Sequence, residues 1–355
     1  MTVLTFNFHN LSGVQIESDD PIALKFFEAE YRNSATSLPS DMKSVRLKWK
    51  RNLGFRPSDI NFHFQKHKCL ARWSYKIERD EVGFEIEALG NRLAIPMVHH
   101  MLVHPCLRYL CALSNTLMLH GSAVVFQNQS LVFTGAGGVG KTTISSLLLH
   151  QGGEDWKLHA DDYVFLSGGS ESFSYITRSH LYRNQIRWVP SIKNVLSNQE
   201  RLHLEFFGRL REITRDGIKW PLRVESSRLW PDHAIAPHAT LGAIILLSRG
   251  DLDGPVLETI DAEEEIIDNL VKMNFTEARH FIELIRRDFD EIDFKNWLHE
   301  WEERERILMS GILKASPLFR LELPPSKYAS NQYGRQLLDL LLPILSAGVN
   351  RGSNG

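Results

Sequence analysis

Leu131-Val132-Phe133-Thr134-Gly135-Ala136-Gly137-Gly138-Val139-Gly140-Lys141-Thr142-Thr143 is the stretch on which the reading of this chain turns. Gly135, Gly140, Lys141 and Thr142 fit the phosphate-binding pattern G-x-x-x-x-G-K-[ST]. Glycines let backbone N–H groups curl around an anion without Cβ clashes. Lys141 brings a cation for the outer phosphates, and the Thr142 hydroxyl is a hard oxygen ligand suited to Mg²⁺. The flanks agree with the motif. Leu131 to Thr134 favour a strand, Ile144, Leu147 and Leu148 follow at helical spacing, and Gly152-Gly153 stops the helix. Strand, glycine loop and helix N-terminus is the order that phosphate binding requires. Residues 135–143, namely Gly135, Ala136, Gly137, Gly138, Val139, Gly140, Lys141, Thr142 and Thr143, are therefore expected to hold a nucleoside triphosphate, ATP.

Working outward, 355 residues suit one large domain or two modest ones, and 43% hydrophobic with 24% charged residues is an ordinary globular composition. A formal net charge of -2, with no long Lys/Arg run, argues against a nucleic-acid partner. Apolar runs such as Leu241 to Leu247 are too short to span a bilayer, so no membrane partner is expected. The first residues lack a basic region followed by an apolar stretch. Cys69, Cys106 and Cys111 have no metal-ligand spacing and are odd in number, which fits reduced thiols in a cytoplasmic protein.

Residues 1–98 read as a mostly β unit, with alternation at Val3 to Phe8, Ile60 to Phe64 and Phe84 to Glu87. Pro21 to Tyr31 is predicted as a helix capped near Asp19 or Asp20. A nucleotide-binding domain of α/β class is expected over 99–345. It opens with a helix from Val98 to Met118, and a Gly/Ser/Asn tail at 346–355 is read as flexible. Ser122 to Phe126 and Ser130 to Thr134 are predicted to pair as a hairpin around a three-residue turn, Gln127-Asn128-Gln129. Further strands are expected at Leu241 to Ser248 and Leu318 to Leu323. Helices are expected from Ala262 to Trp301 and from Arg335 to Leu345.

Three residues turn a nucleotide site into a candidate phosphotransferase. Asp161 and Asp162 lie twenty residues beyond Lys141, between predicted strand segments at Lys157 to Ala160 and Tyr163 to Leu166. A strand-end carboxylate facing a glycine loop is a usual second anchor for Mg²⁺. Adjacent strand residues point to opposite faces, so one carboxylate is free to hold metal and the other to accept a proton. The competing reading is a surface turn. The third residue is His120. With the hairpin centred on Asn128, its register places His120 opposite Ala136, where it either serves the attacking group or packs a helix-to-strand corner.

Leu119-His120-Gly121, Gly135 to Thr142 and Ala160-Asp161-Asp162 together resemble the core of the HPr kinase/phosphorylase family. Its fold is shared with ATP-dependent phosphoenolpyruvate carboxykinase, and related kinases occur in lasso-peptide maturation. The resemblance is specific over about residues 119–166. It implies a P-loop kinase core with a mixed sheet, and transfer of a phosphoryl group from ATP to a hydroxyl of a protein or peptide. By resemblance Asp161 and His120 activate the attacking oxygen, Lys141 meets the phosphates, and Thr142 and Asp162 hold Mg²⁺. The family's loop often carries polar residues where this chain has Ala136-Gly137, and its Glu-x-Arg-Gly-x-Gly segment has no counterpart. Arg178, Arg183 and Arg187 lie in the region from which a further phosphate contact is expected. Two alternatives stay open: a non-catalytic nucleotide-binding module, and a kinase of a small-molecule alcohol. The acceptor and the oligomeric state are not legible.

Overall fold

The computed structural model describes residues 1–52, 62–67, 70–168, 170–215, 217–218, 220–287, 290–325 and 331–352. Cys69 and part of the strand expected at Ile60 to Phe64 lie outside them. Two units are distinguished by the density of their internal contacts: residues 1–118 with 268–309, and residues 119–267 with 310–355.

Alternating sequence builds the first unit's sheet from β1 (Thr2–Phe8), β2 (Ser12–Ser18), β3 (Ser44–Arg51), β4 (His63–His67), β5 (Ala71–Arg79) and β6 (Gly83–Gly90), in the order β1-β2-β3-β6-β5-β4. Helix α1 (Pro21–Glu30) starts where expected: Asp20 is its N-cap and accepts a hydrogen bond from the Ile22 amide at 3.0 Å. The helix expected from Val98 to Met118 is instead α2 (Ile95–Val98), a π-helical turn at His99–Val103 and α3 (His104–Leu113). Strand β7 begins at Thr116.

The second unit carries β7 (Thr116–Phe126), β8 (Gln129–Thr134), α4 (Lys141–Gly152), β9 (Trp156–Ala160), β10 (Tyr163–Ser167), β11 (Glu171–Phe173) and β12 (Ser179–Leu181). Short helices α5 (Gln185–Trp188) and α6 (Ile192–Val195) lead to α7 (Asn198–Ile213), β13 (Leu222–Val224) and α8 (Ser226–Leu229). Then come β14 (His238–Arg249) and β15 (Val256–Thr259); α9 (Glu264–Ile285) and α10 (Glu291–Ala315), most of whose residues belong to the first unit; and β16 (Leu318–Leu323) and α11 (Asn331–Gly352), back in the second. The main sheet runs β11-β10-β7-β8-β14-β16-β15, with β9 also on β7. It is mixed: β8, β14 and β16 are parallel, whereas β7 is antiparallel to β8 and β9. Leu147 and Leu148 of α4 and Leu337 and Leu341 of α11 join the buried core of this unit.

Several expectations change. The boundary expected at 98 lies inside the first unit, because α3 packs its Tyr109 ring against Phe84 at 5.6 Å and Trp301 at 5.7 Å. The single helix expected over Ala262 to Trp301 is two helices. Asp290 restarts the second by accepting the Ile292 and Asp293 amides at 3.0 Å. Helix α11 extends to Gly352, into the region expected as a flexible tail, and residues 353–355 lie outside the described residues. The hairpin turn has two residues, not three: Gln127 (φ 47°) and Asn128 (φ 65°) both adopt the left-handed conformation of a type I′ turn. Phe126 pairs with Gln129 and Gly121 with Thr134, so continuing the ladder sets His120 opposite Gly135 rather than Ala136.

Candidate active site

Strand β8 delivers the chain into the glycine loop, and α4 leaves it at Lys141. Gly135 (φ 145°) has no room for a side chain, since a Cβ there would stand 2.8 Å from the Leu247 carbonyl oxygen. At the tip, by contrast, Cβ atoms on Gly137 and Gly138 would meet nothing within 4 Å. One side of the loop is thus pressed against β14 and the other is open. Val139 closes a turn to the Ala136 carbonyl at 3.1 Å, and Gly140 is the N-cap of α4 with no side chain to cover the first amides. Amides exposed in this way at a helix start attract an anion.

Lys141 is buried, and its Nζ donates to the Gly135 carbonyl at 2.8 Å and the Ala136 carbonyl at 3.4 Å. The cation therefore lies along the loop's own backbone, within the curve of the glycines. Thr142 and Ser145, on the first turns of α4, share a small cleft with Asp161 and Ser179.

The two aspartates occupy the bend between β9 and β10 and turn to different neighbours. The hydroxyls of Ser179 and Thr142 face the Asp161 carboxyl. Burial pushes this carboxyl above its ordinary range, with the Asp162 charge adding to the rise. The hydrogen-bonding hydroxyls of Ser179 and Thr142 work the other way. Part of the residue stays open to solvent even so. Asp162 turns to the histidine: its Oδ1 lies 3.5 Å from Nε2 of His120. The His120 ring also packs 5.4 Å from Tyr163. Backbone bonds fix both partners, Gly121 N–H to the Asp162 carbonyl at 3.0 Å and the Thr134 hydroxyl to the His120 carbonyl at 3.0 Å.

Asp161, Asp162, His120, Lys141 and Thr142 are therefore brought around one loop by β7, β8, β9 and α4. The pairing differs from expectation: Thr142 faces Asp161, where sequence reading set it with Asp162. Hydroxyl and carboxylate oxygens of this kind suit Mg²⁺, which leans on one or two carboxylates and on substrate phosphates. No group of three or more His, Cys, Asp or Glu able to hold a metal occurs among the described residues.

Of the arginines, Arg183 is held on α7 by Glu205 at 3.0 Å and Glu212 at 3.1 Å. Arg178 precedes Ser179, and the side chain of Arg187 lies outside the described residues. Sequence reading passed over Arg249. At the end of β14, its Nη2 lies 3.5 Å from where a Cβ of Gly140 would stand, and its Nη1 donates to the Pro324 carbonyl at 3.1 Å. The available signal was its place one residue past a continuous apolar strand. Only the parallel register, Leu246 beside Thr134, shows that this strand ends at the loop.

No family model and no curated protein matches the chain. Among solved structures, it is similar to the HPr(Ser) kinase/phosphatase from Coxiella burnetii at 14% identity and a TM-score of 0.23, over 46% of this chain and 98% of that one. A superposition this loose leaves function to be argued from the residues. No helix among the described residues is long and apolar enough to cross a membrane.

Proposed function

We propose that this protein is an ATP- and Mg²⁺-dependent phosphotransferase acting on a hydroxyl of a protein or peptide. The observation that carries the reading is the approach of Thr142 and Asp161 at the start of α4, with Asp162 and His120 paired beside the same loop. The loop amides and Lys141 meet the phosphates, and Arg249 adds charge at the loop's rim. Thr142 and Asp161 would hold a Mg²⁺ ion, which would neutralise phosphate charge when bound. Asp162, oriented by His120, takes the proton of the acceptor hydroxyl as its oxygen attacks the terminal phosphorus. The bond from that phosphorus to the bridging oxygen breaks, and ADP leaves. Relative to the sequence expectation, Asp161 and Asp162 exchange roles.

Incubation with radiolabelled ATP, with and without seryl peptides, tests the proposal. Label should enter peptide in the wild type and not in Lys141→Ala. Tight ATP binding with no transfer to any hydroxyl would favour the non-catalytic module, and transfer only to small alcohols would replace the acceptor class.

A further inference from the structure

Beyond the phosphate loop, the second unit contains a cavity of about 330 Å³ between α7 and the turn that follows β12. The helix is shaped for it. Gly208 sits in the interior of α7, where glycine is unfavourable relative to alanine. A Cβ at Gly208 would fall 2.5 Å from Cδ and 2.8 Å from Cβ of Arg183, so the missing side chain is the slot in which Arg183 crosses the helix. The Arg211 guanidinium lies over the Tyr182 ring at 4.9 Å, and Phe207 stacks on Trp220 at 5.8 Å and 23°. Arg215 lies at the same cavity. Among the described residues, three arginines meet two carboxylates here, Glu212 in the lining and Glu205 on Arg183, which leaves a surplus of one positive charge beside aromatic walls.

Its position relative to the site is set by a two-stranded ribbon. Ser179, which faces Asp161, pairs with Val224 at one end, and Leu181 pairs with Leu222 at the other. Tyr182 and Trp220 extend from that second end. Three residues of strand span about 10 Å, and so do three residues of an extended peptide. We propose that the cavity seats an acidic segment of the phosphoryl acceptor: a carboxylate with a neighbouring large apolar side chain, three to four residues from the hydroxyl that is phosphorylated. Arg211 and Arg215 meet the carboxylate; Phe207 and Trp220 receive the apolar group. This inference rests on the kinase reading for its acceptor, but not for its binding chemistry.

The probes are two fluorescein-labelled pools of degenerate seryl peptides. One has Glu-Phe and the other Lys-Phe fixed at the third and fourth residues from the serine, on either side. Anisotropy is measured without ATP on the wild type, Lys141→Ala, Arg211→Gln and Arg211→Glu/Arg215→Glu. The Glu-Phe pool should bind at least tenfold more tightly than the Lys-Phe pool to both the wild type and Lys141→Ala. Arg211→Gln should lose several-fold, and the double variant should lose or reverse the preference. Circular dichroism checks that each variant is folded. Equal binding of the pools, or none, overturns the proposal, as does loss of ATP binding in folded Arg211→Gln, which would give the cavity to the nucleotide. Charge-selective binding without transfer would instead sink the kinase reading and leave the cavity standing.

Discussion

Arg108 in the first unit and Asp161 in the second are both charged groups taken out of water, and their surroundings differ. Arg108 and Glu305 are almost wholly buried and form a fork-to-fork pair, with Arg108 Nε 2.6 Å from Glu305 Oε1. Asn274 gives its carbonyl to Arg108 and its side-chain amide to Glu305, and Trp301 donates to Glu305 at 2.9 Å. The rings of Phe275 and Trp301 flank the guanidinium at 4.8 and 5.0 Å. Charge there is closed: cation, anion and neutral donors satisfy one another. At Asp161 the facing groups are hydroxyls, its neighbour Asp162 carries the same charge, and the residue stays partly open. A closed cluster fixes packing; an open one is built for something to arrive. The contrast teaches which buried charge to regard as structural.

The largest expected effect would come from the open cluster. Asp162→Asn should keep ATP affinity and lose about 10²–10⁴-fold in transfer rate, the usual worth of a general base. His120→Ala should follow it with a smaller loss. Asp161→Asn should instead raise the Mg²⁺ concentration needed for half-maximal rate. Initial rates across a Mg²⁺ titration separate the two. If Asp161→Asn loses rate at saturating Mg²⁺ while Asp162→Asn shifts the Mg²⁺ requirement, the roles revert to those read from sequence.

Next in size is the closed cluster. Glu305→Gln leaves Arg108 charged and enclosed, and breaking such a pair costs about 3–5 kcal/mol. Urea unfolding should register that loss, with transfer by the remaining folded protein near normal. A Glu305→Gln variant as stable as wild type would remove the distinction between the two regions.

Legibility in the sequence divides along the same line. The loop was readable because its chemistry is contiguous: glycines, Lys141 and Thr142 lie within one strand-turn-helix, and local rules suffice. Asp161-Asp162 was readable as a pair, but alternation is not what parts them, since both sit in the bend between β9 and β10. Which of them meets Thr142 was not readable, since it depends on where β9 ends against β7 and α4. A single residue in the hairpin turn moved His120's partner by one, because side-chain register follows turn length. Arg108 and Glu305 are 197 residues apart in sequence. Nothing local marks them as partners, and the break between α9 and α10 was hidden by continuous helical periodicity. Of the residues lining the α7 cavity, the sequence reading singled out only Arg183.

Arg249 tests how far the open region extends. Hydrogen bonds to charged groups are worth about 1.5–3 kcal/mol, so Arg249→Gln should weaken ATP binding or slow transfer by roughly tenfold or somewhat more. Isothermal titration with ATP and with ADP would assign the contact: a loss for ATP alone puts Arg249 at the terminal phosphate. Unchanged affinity together with unchanged rate removes it from the site.

The smallest effect belongs to a charge pair of intermediate exposure. Glu200 closes the capping box of α7 with Ser197, and Arg228 donates to its Oε1 at 2.7 Å. The Arg228 hydrogen bond, opposed by burial and helped by the hydrogen bonds of the Ser197 backbone and side chain, draws the Glu200 carboxyl down to about 2. A folded-state value below the unfolded value of 4.5 means that ionised Glu200 stabilises the fold above that pH. The contribution fades as pH falls from 4.5 toward 2. With Arg228 two-fifths exposed, solvent screens the pair, and the loss of cap and pair together should be about 1 kcal/mol at neutral pH. Denaturant midpoints for wild type and Glu200→Gln should therefore differ at pH 7 and converge toward pH 2. A gap that stays constant with pH would mean that Glu200 acts through packing, and that the open and closed clusters have no graded intermediate here.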